Sequence, residues 1–183
     1  MNLSLISNRY ARALLAFAKD NGVEQVIHSQ MKQLVNVYNE LPQLSAIMIN
    51  PILPVSTKKE TLYVAVEQPN DVYKRFIDLV IKNGRETLLR NIALKYESLY
   101  CTEKNIVKGM LVTAVEPPAE VIASVERIFK TVINGTLELT TKVEPQIEGG
   151  FVLTFDTYRL DSSVKRQLRT IKKQFEVENS RMG

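Results

Sequence analysis

The feature that most constrains this chain is a change of hydrophobic period near residue 105. Ahead of the polar step Glu103-Lys104-Asn105, apolar residues recur three and four positions apart, and strand-like alternation is absent. Beyond it, residues 106–115 (IVKGMLVTAV) form a short β-branched run closed by Glu116-Pro117-Pro118. Leu137, Leu139, Thr141 and Val143 then alternate with Thr136, Glu138, Thr140 and Lys142. A helical period does not settle as a strand, because the two geometries send successive side chains to different faces. The expected protein is therefore α+β: an N-terminal six-helix bundle, residues 1–105, followed by a small β-α-β-β-α domain, residues 106–183.

The first helix is expected over residues 5–20, with Ile6, Tyr10, Ala13, Leu14, Phe17 and Ala18 facing a core and Asn21-Gly22 as its stop. A second runs from Val23 to Tyr38, and a short third, from Leu44 to Met48, is ended by Asn50-Pro51. Thr57-Lys58-Lys59-Glu60 has the form of a capping box opening a fourth, which holds Leu62, Val64, Ala65 and Val66. The fifth spans Val72 to Asn83 and stops at Gly84; Leu88, Leu89, Ile92, Tyr96 and Leu99 mark the sixth. Two of these helices carry apolar surface to spare. With Phe76, Leu79 and Val80 facing a core, Ile77 and Ile81 project about 100–140° around the fifth helix. Ala11 and Leu15 sit on an equivalent flank of the first. Either the bundle buries these flanks, or they form a groove that accepts a partner's amphipathic helix.

In the second half, Pro118 suits the first turn of a helix carrying Val121, Ile122, Val125, Ile128, Phe129, Val132 and Ile133, whose broad apolar arc suggests that it lies across a sheet. Gly149-Gly150 precede an alternating strand of Phe151, Leu153 and Phe155, where a glycine pair supplies positive φ or a close backbone approach. Asp156-Thr157-Tyr158 reads as a turn returning into Arg159-Leu160. Asp161-Ser162-Ser163 offers three N-cap oxygens, and Val164, Leu168, Ile171 and Phe175 make one face of a final helix. Lys165, Arg166, Arg169, Lys172 and Lys173 cover another arc of that helix with no acid among them.

Few residues are equipped for chemistry. His28 is the single histidine, beside Ile27 in a helix, and Cys101 the single cysteine, so neither a disulfide framework nor a cysteine-based zinc site can form within the chain. Glu148-Gly149-Gly150 lacks the spacing of a phosphate-binding loop and opens no helix. Glu116 and Glu120 read as acids at a helix N-terminus, favourable with its dipole. No run approaches the roughly 20 apolar residues of a membrane span. The amphipathic start, with Arg9 and Arg12, reads as the first helix and not as a transit peptide. A net charge of +4 is too small to imply nucleic acid, although residues 156–183 hold seven basic against four acidic side chains. A solvated face, an acidic protein partner or a phosphate backbone would each suit that arc. The last is the least supported, because no aromatic residues interleave the basic ones.

The order Glu148-Gly149-Gly150-Phe151-Val152-Leu153, a short return, then Asp161-Ser162-Ser163-Val164-Lys165-Arg166-Gln167-Leu168 resembles the C-terminal signature of the ATP synthase delta subunit family, called oligomycin-sensitivity-conferring protein in mitochondria. Gly149, Gly150, Phe151, Asp161, Ser163, Val164 and Leu168 occupy the signature's positions. The opening Arg9-Tyr10-Ala11-Arg12-Ala13-Leu14 and the step Lys82-Asn83-Gly84-Arg85 are similar to that family as well. The resemblance implies a non-enzymatic stator subunit without cofactor or nucleotide, peripheral to a bacterial inner membrane on its cytoplasmic side. It implies that the bundle grips N-terminal segments of the alpha subunits, for which Tyr10, Ala11, Leu14, Leu15, Ile77 and Ile81 are the candidate contacts. It also implies that the α/β domain joins the C-terminal end of the b-subunit stalk. Gly149, Gly150, Phe151, Asp161, Ser163, Lys165, Leu168 and Arg169 are the corresponding stalk or signature residues. A nucleic-acid-binding α/β module with a helical partner domain is the alternative.

Overall fold

The computed structural model describes residues 3–132, 135–155, 158–164 and 166. Contacts divide the chain into two compact units at Glu103/Lys104. The first holds α1 (Leu3–Asp20), α2 (Glu24–Glu40), α3 (Gln43–Ile49), α4 (Val55–Val64), α5 (Asp71–Lys82) and α6 (Leu89–Glu103), the last preceded by a 3-10 turn at Glu86–Leu88. Punctuation follows the chain chemistry. Gly22 and Gly84 take φ of +66° and +62° just past α1 and α5. Asn70 caps α5, its Oδ1 accepting the Val72 N–H at 2.8 Å. Leu34, Tyr73, Ile92 and Tyr96 are among the side chains fully enclosed in the core.

Three expectations are corrected in the bundle. Helix α4 opens at Val55 behind Pro54 with no side-chain cap, so Thr57 to Glu60 lie inside it and form no capping box. It ends at Val64, which is exposed, while Leu62 and Val66 are buried. The core face of α1 is turned relative to the expected one: Ser7, Ala11 and Leu15 join Ile6, Leu14 and Ala18 inside, and Ala13 and Phe17 are outside. Helix α6 packs along α1, and the small residues Ser7 and Ala11 are buried there. On α5 the exchange is the same, with Ile77 and Ile81 inside and Leu79 outside. Packing against α4, α1 and α2 explains it: the six buried residues of α5, from Val72 to Ile81, spread over about 180° of its circumference at roughly 100° per residue.

The second unit is a four-stranded sheet in the order β2-β1-β3-β4, made from β1 (Ile106–Thr113), β2 (Thr136–Val143), β3 (Phe151–Phe155) and β4 (Tyr158–Asp161). Helix α7 (Ala119–Val132) is the crossover that lets β1 and β2 pair in parallel, Ile106 opposite Thr136. Strand β3 pairs antiparallel with β1, Leu111 opposite Leu153. Gly109 passes beneath the β2 side chains: a Cβ there would stand 3.0 Å from Leu137 Cδ1 and 3.1 Å from Leu139 Cδ1. Phe129 of α7 meets Phe155 edge-on, centroids 5.7 Å apart at 88°, placing α7 over the face that carries Leu111 and Leu153.

Strand β4 corrects the reading of Tyr158, Arg159 and Leu160 as a return leading straight to a helix. They pair antiparallel with β3, Leu153 opposite Leu160 and Phe155 opposite Tyr158. A four-residue edge strand has too short a pattern to announce itself; it exists because β3 offers a free edge. The final helix opens at Val164, and its expected continuation to Phe175 lies outside the described residues.

Candidate functional site

The Gly-Gly-Phe and Asp-Ser-Ser segments meet in a backbone clamp. Glu148, Gly149 and Gly150 have φ of +65°, +151° and +73°, a run that turns the chain into β3. The Ser162 N–H donates to the Phe151 carbonyl at 2.9 Å, and the Val164 N–H to the Gly149 carbonyl at 3.0 Å. Gly150 lies so near Ser162 that a Cβ would collide with the Ser162 carbonyl oxygen. On the other side of the clamp, Asp161 Oδ1 accepts from the Ser163 hydroxyl at 2.7 Å and from the Ser163 N–H at 3.2 Å. Ser163 Oγ in turn accepts the Arg166 N–H at 3.3 Å, the third amide of the opening helix, which makes Ser163 the N-cap. These bonds, the Ser163 hydroxyl foremost, hold the Asp161 carboxyl below its ordinary range, with the Arg166 and Arg159 guanidiniums adding to the effect.

Gly149, Gly150, Phe151, Asp161 and Ser163 are thus brought together, and what they build is a fixed exit direction for the last helix. Lys165, Leu168 and Arg169 lie outside the described residues, as does most of the basic arc. Arg166 Nη1 donates to the Asp161 carbonyl at 3.4 Å.

The bundle candidates separate into two groups. Tyr10 is half-buried at the α1/α5 edge, its hydroxyl accepting from Asn83 Nδ2 at 3.1 Å. Ala11, Leu14, Leu15, Ile77 and Ile81 are all buried within the bundle, Ile77 with no exposed area at all. These five face the core of the bundle. Apolar residues that do face outward on these helices include Leu3, Leu5, Ala13 and Phe17 of α1 and Leu79 of α5; Phe17 is 41% and Leu79 50% exposed.

Sequence reasoning missed a buried charge. Lys58 is 5% exposed, and its ammonium donates to the Met48 carbonyl at 2.9 Å and to Glu86 Oε1 at 3.1 Å. One side chain of α4 thereby ties down the C-terminal turn of α3 and the 3-10 turn before α6. The signal was present: Lys58 lies four residues before buried Leu62, on the same face of α4. His28 stacks on Tyr100, ring centroids 4.1 Å apart, and Cys101 is buried on α6. The His28 stack belongs to the packing of α2 on α6. Among the described residues, no group of three or more His, Cys, Asp or Glu side chains could hold a metal ion, and no helix is long and apolar enough to cross a membrane.

Comparison with known proteins agrees with this architecture. A family model described as ATP synthase delta (OSCP) subunit matches residues 6–175. A Phocaeicola vulgatus protein named ATP synthase subunit delta is 35% identical over 184 residues, covering 100% of both chains. A Bacteroides fragilis protein of the same name is 38% identical over 188 residues, again covering 100% of both. Among solved structures, a chain in the cryo-EM structure of the Toxoplasma gondii mitochondrial ATP synthase hexamer matches with a TM-score of 0.66. The match covers 92% of this chain and 96% of that one at 19% identity, a likeness of fold.

Proposed function

The chain belongs to the ATP synthase delta (OSCP) subunit family, and from that premise we propose that it works as a non-catalytic brace, holding by adhesion at both ends. It is a delta-type subunit of F-type ATP synthase, a component of the peripheral stalk. The helical unit binds the catalytic head through N-terminal segments of the alpha subunits, and the sheet unit binds the C-terminal end of the b-subunit stalk. Torque from the rotor would otherwise turn the head with it; a tie between head and stalk resists that rotation and transforms no molecule. In this reading the protein sits on the cytoplasmic side of a bacterial inner membrane, attached only through the complex.

The observation that carries this reading is the extent of the family match, which runs from α1 through the Asp161–Ser163 clamp and so takes in both units. The head contact is assigned to the α1/α5 side. Tyr10, Ala13 and Phe17 form the outward surface there, and Ala11, Leu14, Leu15, Ile77 and Ile81 form the core beneath it. Apolar groups that a partner can bury suit tight binding better than rim charges, which mainly set rate and specificity. The stalk contact is assigned to the unit organised by Gly149, Gly150, Phe151, Asp161 and Ser163, together with Lys165, Leu168 and Arg169.

The deciding experiment strips this subunit from membranes and adds back the purified chain. Re-addition is expected to restore ATP-driven proton pumping and to co-purify alpha and b subunits, while ATP hydrolysis by the released head proceeds without it. Pumping that is complete without the chain, or hydrolysis that requires it, would overturn the proposal.

A further inference from the structure

Between α4 and α5 runs an open cleft lined by Val55 and Lys59 on one side and Arg75, Asp78, Leu79 and Lys82 on the other. We propose that this cleft is a second docking surface, separate from the α1 side, for an amphipathic helix whose apolar stripe is flanked by carboxylates. This goes beyond the head contact assigned to α1, and its test does not depend on that assignment.

Two features of the cleft specify the occupant. Its centre is apolar and open, with Val55 and Leu79 both more than half or half exposed although they sit on well-formed helices. Its rim is cationic in effect. Asp78, the sole acid of the lining, is already engaged: it accepts from the Lys59 ammonium at 2.7 Å and from the Tyr63 hydroxyl at 2.9 Å. Chiefly through the Lys59 bond, its carboxyl lies below the ordinary range. Arg75 and Lys82 remain. They lie seven residues apart on α5, roughly two turns and about 10 Å, and no ion pair of either is found among the described residues. A helix laid along the cleft would place an i,i+4 apolar pair over Val55 and Leu79, with acids on its flanks reaching the two cations.

The test uses the full chain and two synthetic peptides of about 18 residues, roughly five helical turns. One carries a leucine stripe flanked by glutamates, the other the same stripe flanked by lysines. Binding followed by fluorescence anisotropy at low salt is expected for the glutamate peptide alone. Arg75→Glu with Lys82→Glu should weaken it about tenfold, and added salt should weaken it in the wild type. Phe17→Asp, on the α1 side, should leave it unchanged, so this surface and the head contact fail separately. Val55→Ser, which removes apolar contact without reversing charge, should also weaken binding, with helicity by circular dichroism retained in every variant. Equal binding of both peptides, or no effect of the double charge reversal, would overturn the proposal. So would phosphatidylglycerol vesicles that bind through Arg75 and Lys82 while neither peptide does.

Discussion

The backbone of Gly150 rests against the carbonyl of Ser162, with no room for a Cβ between them and a φ of +73° that favours glycine. Gly150→Ala therefore must displace one arm of the clamp. Amides of β3 are expected to exchange faster in this variant, with those of α1–α6 unchanged. Gly22→Ala is the control: its φ is +66°, but nothing lies within 4 Å of the added methyl. Its cost should be confined to about 1–2 kcal/mol of local conformational energy. Equal destabilisation by the two substitutions would dismiss the steric explanation.

Lys58 should behave as a structural charge. Lys58→Met leaves the Met48 carbonyl and the largely buried Glu86 carboxylate without their donor, and a loss of about 3 kcal/mol in helical stability is expected. Adding Glu86→Gln removes the stranded charge and should recover a good part of that loss. Urea titrations followed by circular dichroism at 222 nm would measure both, and additive losses would show the pair to be uncoupled.

Ile77 and Leu79, two residues apart on α5, are expected to give opposite phenotypes. Aspartate at Ile77 puts an unpaired charge into the core, with a penalty on the order of 4 kcal/mol and loss of the cooperative helical transition. Aspartate at Leu79 faces water and leaves helicity intact; aspartate at Phe17 does the same while weakening capture of an alpha-subunit N-terminal peptide. A folded Ile77→Asp protein with normal capture would contradict the burial, and unaltered capture by the Phe17 variant would remove the α1/α5 assignment.

The Asp161 clamp has a defined acid limb. Its folded carboxyl is depressed below the ordinary value, so the stability it contributes is present above the unfolded pKa, about 3.9, and is lost as pH falls through the lower folded value. Ser163→Ala removes the foremost of the bonds responsible. Carboxyl titration by NMR should show the Asp161 midpoint moving up toward the ordinary value in that variant; an unshifted midpoint would assign the depression to Arg159 and Arg166 instead.

Much of the fold was legible because period and punctuation are local properties. Gly22, Asn70, Gly84 and the prolines around α3 act within a few residues of themselves, so helix number and order could be read directly. Strand β4 could not, since Tyr158 to Asp161 become a strand only by meeting β3. For the sites, the clamp residues were legible as a group through their order, but their purpose as paired backbone was not. Lys58, read only as part of a capping box, is a buried donor to two elements.

The sequence by itself determined that helices come first and a mixed sheet follows, and that the chain resembles one family from end to end. Which side of each helix is inside was decided only by tertiary structure. Ala11, Leu15, Ile77 and Ile81 are apolar, but so are Ala13, Phe17 and Leu79, and a helix with a wide apolar arc has no internal reason to prefer one half of it. The neighbours choose: α6 against α1, and α4, α1 and α2 around half of α5, bury one set and leave the other exposed.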